Sequence, residues 1–147
     1  MATGPFSMKR DSASYGAIQP TYDKNDCSIR AISVAAGCTY AQASAMFSAA
    51  GRKLKKGTDV ATSRTIHETW LHMEPVNDAP DMTIEMFILW YPRGSYVLHK
   101  SGHAFAIVDG VLHDWEDTTR ASTKILRAWQ VTTKTREKVE RTRSLFE

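Results

Sequence analysis

Residues 103–114 read His-Ala-Phe-Ala-Ile-Val-Asp-Gly-Val-Leu-His-Asp. Apolar residues flank Asp109-Gly110, the strongest short-range signal for a two-residue hairpin turn. That turn pairs Val108 with Val111 and sets Phe105 opposite Asp114. Side chains alternate along a strand, so His103, Phe105 and Ile107 share one face with Leu112, Asp114 and Glu116 of the returning strand. His103 and Asp114 become diagonal neighbours whose side chains can meet. Ala104, Ala106, Val108, Val111 and Trp115 form the other face, an apolar set suited to packing against helices. A histidine beside an aspartate on a strand, where aspartate is depleted, is the arrangement of a base and its orienting carboxylate.

Working outward, Ser95 to Leu98 predicts a further strand and Ile125 to Val131 another. Before them the pattern is helical. Asp26 is placed as an N-cap, with Ile29, Ile32, Ala35 and Ala36 on one helix face and Gly37 as the stop. Thr39 to Gln42 fits a capping box that opens a second helix, closed by Gly51. A third helix is expected over Thr62 to Leu71. Thr83 to Trp90 reads equally as a short helix or a buried strand. Helices first and a meandering antiparallel sheet second is the α+β class. Residues 1–16 read as a flexible arm, 17–132 as the domain, and 133–147 as a charged helix or tail.

The chain of 147 residues suits one domain, and 42% hydrophobic with 24% charged residues is ordinary globular composition. A net charge of +3 is too small to argue for nucleic acid. The basic runs Arg52–Lys56 and Lys134–Arg143 read as solvated surface, without the aromatic interleaving of a single-strand groove. No stretch reaches the roughly 18 apolar residues of a membrane span, and Met1 to Tyr15 has no apolar run of signal-peptide length. These points predict a cytoplasmic protein with reduced thiols.

The two cysteines exclude a disulfide-dense scaffold. Cys27 stands where the first helix starts, and a thiol at a helix N-terminus beside a histidine is the activated kind. Cys38 reads as structural. Backbone N–H of Cys27, with Gln19 and Asn25 as side-chain candidates, would supply oxyanion donors. His113 points to the face opposite Asp114, His99 has no carboxylate placed by this register, and His67 and His72, five apart, do not stack on one helix face, so no metal site is expected.

Gln19, Asn25-Asp26-Cys27-Ser28-Ile29-Arg30-Ala31, Gly102 to Val108 and His113-Asp114 together resemble the papain-like superfamily, closest to small peptidase C39-like proteins such as those encoded by bacteriophages. Cys27 to Ser33 is also similar to the nucleophile helix of ovarian-tumour-domain deubiquitinases, without that family's glycine before the cysteine and aromatic after the histidine. The resemblance implies a papain-like fold with Cys27 as nucleophile, His103 as base, Asp114 as orienter and Gln19 in the oxyanion role. It implies hydrolysis of a peptide or isopeptide bond, in host cytoplasm if phage-encoded, with no cofactor. The alternative is a papain-fold protein without turnover that binds and modulates a partner protein. A nucleic-acid-binding module using the basic runs is a weaker rival.

Overall fold

The computed structural model describes residues 8–10, 26–53, 58–114 and 119–146. Among them are five α-helices and a six-stranded mixed sheet, an α+β arrangement. In chain order the elements are β1 (Lys9–Arg10), α1 (Cys27–Ala36), α2 (Tyr40–Ala49), α3 (Val60–Arg64), β2 (Glu74–Pro75), α4 (Ile84–Trp90), β3 (Ser95–Lys100), β4 (His103–Val108), β5 (Val111–His113), β6 (Arg127–Gln130) and α5 (Thr133–Arg143). A π-helical stretch, Thr65–Trp70, continues α3. No helix among the described residues is long and apolar enough to cross a membrane.

The central hairpin has the register that its turn dictates. Val108 pairs with Val111, Ile107 with Leu112 and Ala106 with His113. Asp109 and Gly110 have φ of +49° and +79°, and two successive positive φ values are what a turn matching strand twist requires. Asp109 also ties the turn down, because its Oδ1 accepts from the Gly94 N–H at 2.9 Å.

The strands lie in the order β1-β5-β4-β3-β6-β2. All neighbours are antiparallel except β1, which runs parallel to β5. This corrects the purely antiparallel expectation. The parallel strand comes from Lys9–Arg10, inside the segment expected to be an arm, and two residues carry no period by which a strand could be read.

Both faces of the sheet are covered. Helix α1 lies on one face, where Ile29, Ile32 and Ala36 pack with Val97, Ala104, Ala106 and Trp129. Helix α4 closes the other with Ile84, Phe87 and Ile88 against Tyr96, Leu98, Phe105, Ile107 and Leu112. The helix-or-strand ambiguity at Thr83 to Trp90 resolves as helix. Thr83 Oγ1 accepts from the Met86 N–H at 3.1 Å, and positions 84, 87 and 88 then point one way. The third helix starts two residues before the expected Thr62, because Asp59 rather than a later residue caps it, accepting from the Thr62 N–H at 2.7 Å. Helix α2 carries the capping box read from Thr39 and Gln42. Helix α5 docks on α2 through Gln42, whose amide donates to Val139 O at 3.0 Å and Thr142 Oγ1 at 2.8 Å.

Candidate active site

Cys27 is the first residue of α1 and is half-buried. The helix lies on β4, so its N-terminal end meets the beginning of that strand. There the Ala104 N–H donates to Cys27 Sγ at 3.4 Å. A donor aimed at sulfur is accepted more strongly by a thiolate than by a thiol.

His103 opens β4 and is 8% exposed. Its Nε2 lies 2.8 Å from Asp114 Oδ1. The other side of the ring hydrogen-bonds Cys27. With Nε2 committed to the carboxylate, Nδ1 is the nitrogen that faces sulfur. Phe105, two residues on along the same face, stacks on the imidazole with ring centroids 6.1 Å apart. Burial opposes a charge on this ring. The hydrogen bonds to Asp114 and Cys27, and the negative charges of both partners, outweigh it and raise His103 from 6.5 to about 9.

Asp114 is fully buried, and its second oxygen is also occupied: the Thr119 hydroxyl donates to Oδ2 at 2.6 Å. Thr119 is itself fully buried, and its carbonyl accepts from the Arg10 guanidinium. The N-terminal strand thus reaches the residue that holds the aspartate. Nothing in the sequence singled out Thr119, because no periodicity encodes its contact with Asp114.

Asp26 occupies the N-cap position of α1, but its side chain makes no cap hydrogen bond, which corrects the role expected for it. The carboxylate turns inward instead. Arg30 Nε donates to its two oxygens at 3.0 and 3.1 Å, and the Tyr40 hydroxyl donates to Oδ2 at 2.7 Å. The Arg30 guanidinium also sits over the Tyr40 ring, 5.6 Å from its centroid. Arg30 is four residues on, one turn along the helix, and a buried carboxylate prefers a fixed cation to a neutral amide. The Asp26 carboxylate therefore does not cap the start of α1. The positive end of the helix dipole lies where an oxyanion beside Cys27 would form.

Gln19 and Asn25, the side-chain oxyanion candidates, lie outside the described residues. Cys38 is buried behind the first helix, and its thiol is 3.9 Å from Ile32 O. Burial pushes it up to about 12, against smaller opposing effects of its own backbone, Arg143 and Ser33. A thiol so placed is inert at neutral pH.

A second histidine group lies on the α1 side of the sheet. His67, from the π-helical stretch, and His99, from β3, pack edge-on against Trp129 at 4.4 and 4.9 Å. Among the described residues no group of three or more His, Cys, Asp or Glu side chains is placed to hold a metal ion. No family model, curated protein or solved structure matches the chain.

Proposed function

We propose that the chain is a papain-like cysteine hydrolase that cleaves a peptide or isopeptide bond through Cys27, His103 and Asp114. The observation that carries this reading is one imidazole engaged on both sides, by a buried carboxylate and by a cysteine at the start of a helix. A structural histidine needs no such pair, whereas a nucleophile, its base and an orienting group need this order of contacts.

In the reaction the Cys27 sulfur attacks the substrate carbonyl carbon. An S–C bond forms and the carbonyl π pair moves onto oxygen, where the backbone donors at the start of α1 stabilise it. The C–N bond then breaks as His103 Nδ1 gives its proton to the departing amine. Water enters, His103 takes its proton, and the thioester is hydrolysed to a free acid and the original thiol. Asp114 stays ionised throughout, holding the ring in the tautomer and orientation that present Nδ1 to sulfur. Thr119 holds Asp114 by its second oxygen.

The test is alkylation by iodoacetamide at pH 7, read by mass spectrometry of the peptides carrying each cysteine. Cys27 should react faster than free cysteine while Cys38 stays unmodified, and His103→Ala should remove the advantage. Alkylation of Cys27 at the free-cysteine rate, unchanged by His103→Ala, would exclude this reading.

A further inference from the structure

Three residues on the α1 side of the sheet stand in one row. Arg127 pairs with His99 across β6 and β3, and His99 pairs with Ala104 across β3 and β4. Residues paired this way project to the same face. Ala104 is the residue whose amide reaches the Cys27 sulfur. Arg127 therefore stands two strand spacings, about 10 Å, along the sheet from the point that touches the nucleophile.

Arg127 is half-buried, and among the described residues its guanidinium makes one hydrogen bond, 3.4 Å from Nη1 to His99 Nδ1. That is a long bond to a ring kept neutral, since burial, then Arg127, His103 and Arg64, hold His99 down at about 4. No carboxylate among the described residues pairs with Arg127. The acid on this side, Glu68, is already engaged: it accepts from Trp129 Nε1 at 2.7 Å and faces Arg64 at 3.8 Å. The wall behind Arg127 is polar and unsatisfied as well. His99 Nε2 and both ring nitrogens of His67 are buried without a hydrogen-bond partner among the described residues. A planar fork of donors left largely unused, beside a nucleophile and with positive charge in excess, fits a planar two-oxygen anion.

We propose that Arg127 anchors a carboxylate of the bound peptide, so that the sheet face next to Cys27 selects acidic substrates. The inference rests on the hydrolase reading for its use in catalysis, but its measurement needs no turnover. The carboxylate can be a Glu or Asp side chain or a peptide C-terminus, and both present the same two oxygens to the guanidinium.

The experiment alkylates the full chain with iodoacetate, which is anionic, and iodoacetamide, which is neutral. In each case the Cys27 sulfur forms the new S–C bond and iodide leaves with the old bonding pair. The ratio of the two rates should fall about threefold or more in Arg127→Gln and be retained in Arg127→Lys, with the iodoacetamide rate unchanged. Protection by peptides reads the same site. Acetyl-Ala-Glu-Ala-amide should slow alkylation at roughly tenfold lower concentration than acetyl-Ala-Gln-Ala-amide, and Arg127→Gln should erase the difference. The Gln peptide with a free C-terminal carboxylate tells the two sources apart, protecting like the Glu peptide if the terminus is what Arg127 holds. An unchanged ratio in Arg127→Gln, or no better protection by either carboxylate peptide than by the neutral one, overturns the proposal. A slow Cys27 would count against the hydrolase reading alone, since the ratio does not depend on how reactive the thiol is.

Discussion

Replacing Asp114 by Asn keeps the shape of the side chain and removes its charge. The consequence can be worked from His103. A rise from 6.5 to about 9 is worth roughly 3 kcal/mol of preference for the charged ring, and this is what remains after burial has opposed it. In Asp114→Asn burial stays, while the carboxylate's charge and its strong hydrogen bond go. His103 should then titrate below its raised value by about two units or more. The assay is the His103 ring signal followed by NMR across pH 5 to 10, beside the pH profile of Cys27 alkylation. The alkylation rate should fall about 10- to 100-fold near pH 6 to 7 and much less near pH 9. Stability carries the same signature. A group whose native pKa is raised stabilises fully below its unfolded pKa and loses that contribution as pH rises through the native value. The wild type should therefore lose stability from His103 between pH 6.5 and about 9, and Asp114→Asn should flatten that slope. A variant with an unmoved His103 titration and an unchanged alkylation profile would refute the reasoning.

The buried His67 and His99 have the opposite sign. His99 is lowered from 6.5 to about 4, chiefly by burial, and His67 well below 6.5 for the same reason. The unfolded chain binds their protons first, so stability should fall as pH drops from 6.5 towards 4, by roughly 3 kcal/mol from His99 alone. Urea midpoints at pH 7 and pH 4.5 measure this, and equal midpoints would contradict it. Arg30→Met leaves the fully buried Asp26 carboxylate with the Tyr40 hydroxyl but without its cation and should cost about 3–5 kcal/mol in urea unfolding; a loss under 1 kcal/mol would mean that Asp26 is not held by that pair. Cys38→Ala should leave the alkylation of Cys27 unchanged, and a folded variant with no labelling would move the nucleophile to Cys38.

The parts of the fold legible in the sequence are those encoded locally. Asp109-Gly110 set a register that carries His103 and Asp114 to one face, and the structure places them 2.8 Å apart. Thr39 and Gln42 announced the start of α2. What escaped depends on contacts distant along the chain. Thr119 meets Asp114 without any periodic pattern to announce it, and Arg10 reaches Thr119 across 109 positions. Capping is a local habit of aspartate and predicts that role for Asp26, yet Arg30 and Tyr40 give its carboxylate buried partners instead. The Asp26-to-Arg30 spacing of one helical turn was a usable signal for that pair. The row Arg127–His99–Ala104 could not be read, because β6 returns to β3 rather than continuing beside β5.

The most direct test of the central claim is to trap the acyl-enzyme. The chain is mixed with p-nitrophenyl acetate at neutral pH, nitrophenolate release is followed by absorbance, and the protein is acid-quenched for peptide mass analysis. Acyl transfer to an activated Cys27 predicts a burst of about one equivalent, with the acetyl group on the peptide that begins α1, followed by slower turnover. Cys27→Ser should abolish the burst, and Asp114→Asn should slow it more at pH 6 than at pH 9. A folded chain that shows no burst, or carries the acetyl group on lysines rather than on Cys27, would contradict the account.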